Sequence, residues 1–197
     1  MVTEMNDTTG TTSGGLSGSF KKGSSASIPY GHPHAKAILE QAREIMAQCE
    51  TGRALSKVWD AFNIPVHIIK GSGENGFSPD LNTIYLQTSG SVKGATPEII
   101  LGFIKALREA DLEYAGEKAP DPTKDIMAYA GFMHARNVDC IIHMCKFTKE
   151  LSSTSYFTDL LDSLTKLGLN GVYKAYIDGA SADELYMIYA EAYDSVM

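Results

Sequence analysis

The sequence predicts a predominantly helical α+β fold with a small sheet of two or three strands packed on helices. Three observations carry that expectation. Apolar residues recur at three and four over most of the chain after residue 35. The only short, β-branched runs lie close together, at 66–70 and 83–87. Helix-start signals then follow one another to the C-terminus.

Residues 1–28 stand apart, because 16 of them are Gly, Ser or Thr. Such a segment buries too little apolar surface to offset its ordering entropy, so a low-complexity arm is expected. A turn-rich connector, Ile28-Pro29-Tyr30-Gly31-His32-Pro33-His34, leads out of it. Ile38, Leu39, Ala42, Ile45, Met46 and Cys49 then form one helical face, which Gly52 is expected to end. A short helix over 53–62 follows, stopped by Asn63-Ile64-Pro65. After the strand 66–70, residues 71–76 read as a loop, 77–82 as a turn and 83–87 as the second strand.

Thr96-Pro97-Glu98 combines an N-cap hydroxyl, a proline at the first helical position and an acid in the first turn. That helix is expected to reach about residue 115. Asp121-Pro122 repeats the signal and opens a long helix to about residue 151. Helices over 155–167, closed by Gly168, and over 170–177 come next. Ser181-x-x-Glu184 is a capping box for a last helix through 196. The organisation expected is an arm and connector over 1–34, an α+β core over 35–151 and a helical extension over 152–197.

Composition narrows the function classes. The chain has 197 residues, 17 Lys plus Arg and 24 Asp plus Glu, for a net charge of −7. That balance argues against nucleic-acid binding by bulk charge. No apolar run approaches the ~20 residues of a membrane span. The first residues lack the basic and apolar regions of a signal peptide. Three cysteines do not make a disulfide framework. A protein of a reducing compartment is expected, cytoplasmic or within an assembled particle.

The strand Asn82-Thr83-Ile84-Tyr85-Leu86, the capped helix after it, and Lys105-Ala106-Leu107-Arg108-Glu109-Ala110 within that helix carry a resemblance. Together they resemble the zincin-type metallopeptidases, the minimal HExxH proteins, over roughly residues 35–151. In that family an N-T-I-x-L type strand precedes a helix bearing an H-E-L-R-H-A type motif. Leu107, Arg108 and Ala110 match it. A later R-E-x-D-A type segment, which supplies the family's acidic ligand, is similar to Arg136-Asn137-Val138-Asp139-Cys140.

The departures fall on the chemistry. Zinc hydrolysis by this motif needs two neutral imidazoles at i and i+4 and a Glu to take the proton of the metal-bound water. Here those positions hold Lys105, Glu109 and Ala106. An ammonium repels zinc and a methyl group is no base. The resemblance therefore implies a pseudoenzyme with vestigial positions Lys105, Ala106, Glu109 and Asp139, and with no catalytic residue, metal or cofactor.

Other candidates are weaker. Asp139 and His143, at i and i+4, could supply two metal ligands, with Cys140 one turn from His143 and no further ligand signposted. Gly71-x-Gly73-x-x-Gly76 fits a dinucleotide-binding expression, but Phe77-Ser78-Pro79 follows where a helix must start. Tyr186, Tyr189 and Tyr193 share one face of the last helix, and tyrosine is enriched at interfaces. With Phe20 of the arm, they are the expected contacts to neighbouring subunits.

Three functions follow as expectations. The first is a non-catalytic structural or assembly component, in a homo-oligomer or larger particle such as a virion, with other protein subunits as partners and neither nucleic acid nor membrane. The second is a hydrolase with an unconventional site around Glu109, Asp139 and His143, with Lys105 as an electrostatic stabiliser. The third is a peptide-binding or inhibitor module using the vestigial cleft between residues 83–87 and 96–115, where an extended peptide would add to the strand as an edge.

Overall fold

The computed structural model describes residues 32–71, 73–88, 90 and 92–194. Seven helices and a three-stranded sheet make a predominantly helical α+β fold, as expected. The order is α1 (Ala35–Met46), α2 (Glu50–Ala61), β1 (Val66–Lys70), β2 (Gly76–Ser78), a 3-10 turn (Pro79–Leu81) and β3 (Thr83–Thr88). Then come α3 (Pro97–Tyr114), α4 (Ile126–Glu150), α5 (Phe157–Lys166), α6 (Asn170–Ile177) and α7 (Ala182–Asp194).

Gly52 starts a helix where the sequence reading had it end one. The chain leaves α1 after Met46, and Cys49 adopts an extended conformation as N-cap of α2, its Sγ accepting from the Gly52 N–H at 3.4 Å. A Cβ on Gly52 would lie 2.2 Å from the Met46 carbonyl oxygen, so only glycine lets the two helices turn so closely.

The sheet order is β1-β3-β2, with β1 parallel and β2 antiparallel to β3. β2 lies partly in the expected turn. Its pairing puts β3 in the centre of the sheet, with a strand on either side. That corrects the peptide-binding expectation of an edge strand: β1 pairs with Ile84–Thr88 on one side, and on the other β2 pairs with Thr83–Tyr85 while Asn75 takes the Gln87 N–H.

α3 is the central helix. Residues Ile99 through Ile104 are all buried, and α2, α4, α5, β2 and β3 pack around it. Thr96 caps it as expected, its Oγ1 accepting from the Ile99 N–H at 3.4 Å. The start of α4 moves by four residues. Asp121 instead caps a single turn, accepting from the N–H and hydroxyl of Thr123 at 2.9 and 2.7 Å. The chain then extends at Asp125, whose carboxylate accepts from the Ala128 N–H at 2.9 Å and begins the helix.

α5 is shorter than the expected 155–167, and α6 matches its expected bounds. The Ser181–Glu184 capping box forms in both directions, at 2.7 Å from the Ser181 N–H and 3.3 Å from the Glu184 N–H. Leu160, Leu164, Val172 and Leu185 of the C-terminal helices join the same buried cluster as Ile68, Leu86 and Phe103. No helix among the described residues is long and apolar enough to cross a membrane.

Candidate functional site

α3 and α4 run antiparallel, and their charged residues meet along one seam. Arg108 Nε donates to Asp139 Oδ2 at 2.6 Å, and Arg136 Nη1 donates to Glu113 Oε2 at 3.1 Å. Arg108 also bridges Asp111 on its own helix, and Arg136 Nη2 donates to the Glu109 carbonyl at 3.2 Å.

The vestigial positions sit at the edge of this seam. Lys105 and Glu109 pair at 2.6 Å, each side chain 26% exposed. The other oxygen of Glu109 accepts from the Phe77 N–H of β2 at 3.0 Å. Glu109 thus ties α3 to a strand edge and holds an ammonium with its remaining oxygen. Burial works against the charge on Lys105, but Glu109, by charge and hydrogen bond, with smaller contributions from Cys140 and Glu74, outweighs it and raises the pKa. Lys105 is therefore a fixed cation. Ala106 is fully buried and belongs to the core.

Asp139 and His143 approach one another on α4, but not as paired metal ligands. His143 Nδ1 lies 2.9 Å from the Asp139 backbone oxygen and 3.5 Å from its carboxylate. A hydrogen bond to that carbonyl requires the proton on Nδ1. The Asp139 carboxylate is held by Arg108. No group of three or more His, Cys, Asp or Glu among the described residues could hold a metal ion.

Cys140 lies beside the seam, and all three thiols are buried and free. Burial first, then the carboxylates of Glu109 and Asp139, push Cys140 up to about 12. Burial alone takes Cys145 to about 12, and burial is the largest cause of the rise of Cys49 to about 11. Thiols this reluctant to ionise are poor nucleophiles and poor metal ligands.

The glycine-rich loop is clasped to the body. Gln87 donates its N–H to Asn75 Oδ1 at 2.6 Å and accepts from the Gly73 N–H at 2.7 Å. Asn75 lies against Gly102 of α3, where a Cβ would come within 2.2 Å of its Nδ2. Nothing in the sequence pairs Asn75 with Gly102, because 26 residues and two strands separate them. Arg136 escaped the sequence reading as a separate link, since it appeared only within the acidic-ligand segment.

Tyr186 and Tyr189 of α7 turn toward α4 rather than outward to a neighbouring subunit. Tyr186 meets the His134 ring edge-on at 4.4 Å between centroids, and the Tyr189 hydroxyl accepts from Asn137 Nδ2 at 2.8 Å. The outward residue is Met187, 57% exposed. With Ala180, Asp183, Glu184 and Ile188 it lines an apolar depression of about 410 Å³. Phe20 and the side chain of Tyr193 lie outside the described residues.

The structure thus gathers Lys105, Glu109, Asp139 and His143 on the α3–α4 seam, each charged group already engaged within the chain. No family model, no curated protein and no solved structure matches the sequence.

Proposed function

We propose that this chain is a non-catalytic assembly component on a degenerate metallopeptidase-like scaffold, with its arm and C-terminal helix contacting other protein subunits in a homo-oligomer or a larger particle. The observation that carries the reading is Glu109. It stands where the resemblance would have a zinc-binding histidine, and its two oxygens hold Lys105 and the Phe77 N–H. A group so engaged works as a clasp. The same engagement speaks against the hydrolase around Glu109, Asp139 and His143, which needs a carboxylate free to take a proton.

The arm's composition suits a segment that orders on a neighbour. The test is the native mass of the full chain beside a version lacking residues 1–28, with elemental analysis of both. The reading expects assembly of the full chain, loss of higher-order assembly on truncation, and no stoichiometric zinc. One zinc per chain, or peptide hydrolysis lost in Glu109→Gln, would overturn it.

A further inference from the structure

The apolar seam of α4 runs past the body of the molecule. Positions 126, 130, 133, 137, 140, 144 and 147 step by four and three, the spacing of a coiled-coil seam, with Asn137, which donates to the Tyr189 hydroxyl, as its one polar member. At its C-terminal end Cys140, Met144 and Phe147 are 0–3% exposed. At its N-terminal end Ile126 is 62% and Met133 43% exposed, with Met127 beside them at 78%. The cause is helix length. Arg108 lies opposite Asp139 and Glu113 opposite Arg136, so α3, which ends at Tyr114, runs out level with about residue 134 of α4. About the first eight residues of α4 extend beyond it, roughly 12 Å at the rise of an α-helix. On the other side of the α3 terminus, Phe62 stacks on Tyr114 beside exposed Leu81. Among the described residues, six of the nine large exposed apolar side chains lie on the first turns of α4 or beside the α3 terminus.

We infer that two copies of this chain associate about a two-fold axis near Ala130, through the overhanging first turns of α4 packed antiparallel. The inference rests on the assembly reading above and gives it an interface that does not involve the arm.

Three features favour a second copy as the occupant. Residues 126–135 contain no Asp, Glu, Lys or Arg, so two chains of net charge −7 can meet there without opposing carboxylates. The seam is self-complementary: antiparallel pairing about Ala130 sets Met127 of one copy opposite Met133 of the other, with the small alanine at the axis where the backbones approach. The flanks also match in charge. The same pairing brings position 124 level with position 136, and so sets the exposed Lys124 ammonium near the part-exposed Glu113 carboxylate that Arg136 holds.

The test uses the full chain. Ala130→Cys should give a disulfide-linked dimer on mild oxidation, whereas Ala135→Cys, on the far side of the helix, should not. The native cysteines do not compete, being at most 4% exposed. Ile126→Glu should raise the dimer dissociation constant roughly tenfold or more, since it buries a carboxylate at the interface. It should leave the far-UV circular dichroism unchanged, because an acid suits the first helical position. Met133→Glu is the second variant with the same expected outcome. If the chain assembles but neither glutamate weakens the dimer and Ala130→Cys forms no link, the interface is overturned while the assembly reading stands. A full chain that stays monomeric at high micromolar concentration overturns both.

Discussion

Within α4, Cys140, Met144 and Phe147 lie under α3, α5 and α6, whereas Ile126, Met127 and Met133 face solvent, although one apolar stripe runs through both halves. The stripe reports which side of a helix is apolar. What covers that side depends on where the neighbouring helices end. In this chain α3 stops at Tyr114 and leaves the first two turns of its partner beyond its reach, while Tyr186 and Tyr189 of α7 cover His134 and Asn137 just after them.

The contrast is broken most directly by truncating one side chain in each half. Phe147→Ala should cost about 3–5 kcal/mol of unfolding free energy, the usual cost of emptying a packed aromatic site. Met127→Ala, measured by denaturant titration at low micromolar concentration, should stay within about 0.5 kcal/mol of the parent. A large loss in Met127→Ala would mean that the overhang is covered even in the dilute chain.

A second contrast sets two ion pairs of the same spacing against each other. Lys36 and Glu40 are 90% and 63% exposed at 3.7 Å, whereas Lys105 and Glu109 are each 26% exposed at 2.6 Å. Glu40→Ala should change stability by less than about 0.5 kcal/mol. Glu109→Ala strands a part-buried ammonium and the Phe77 N–H, and should cost about 1–3 kcal/mol. Glu109→Gln should fall between them, because its amide oxygen can still accept from Phe77. Equal effects for Glu40→Ala and Glu109→Ala would remove the clasp from the account of Glu109.

The covered half of α4 also carries an acid-sensitive tie. Glu150 accepts from the N–H and the hydroxyl of Thr51, both at 2.8 Å, and so joins α4 to the first turn of α2. Burial pushes its carboxyl up. The Thr51 hydrogen bonds pull it down, with help from Cys49 and Lys146, and the net value lies below the ordinary one. A carboxyl lowered by folding contributes stability above its unfolded pKa of about 4.3, and that contribution is lost as pH falls through the folded value. Glu150→Gln should therefore cost about 1–2 kcal/mol at pH 7 and flatten the acid limb of the stability curve below about pH 4. An unchanged acid limb would show that the tie is absent in solution.

Much of the architecture was legible in residues with a local mechanism. Thr96, Gly168 and the Ser181–Glu184 box end or begin helices through atoms a few residues away, and all three work as their chemistry implies. Gly52 and Gly76–Ser78 misled because their roles depend on distant chain. Gly52 is small for the sake of the Met46 carbonyl, and β2 is a strand because β3 pairs with it. The candidate site shows the same division. The i, i+4 spacing of Lys105 and Glu109 is that of an ion pair along a helix. Their tie to Phe77, and the link from Arg108 to Asp139, needed the antiparallel approach of α3 and α4 and the position of β2. Tyr186 and Tyr189 share a face of α7, but the residue pattern could not say that His134 and Asn137 would meet it.

The smallest effect expected lies at the very start of the overhang. Asp125 caps α4 through the Ala128 N–H at 2.9 Å, and a cap of this kind is worth about 1 kcal/mol. Because the first turns of α4 lie outside the packed body, Asp125→Ala should fray them locally and leave the global unfolding midpoint nearly unchanged. Hydrogen exchange reads the difference. Amides of residues 129–132 should exchange faster in Asp125→Ala than in the parent, while those of residues 144–148 keep their protection. The same amides bear on the α4 interface. If two copies pair there, protection over 129–132 rises with protein concentration, and Asp125→Ala weakens that rise. Protection in the overhang that is independent of concentration would return these turns to the monomer alone.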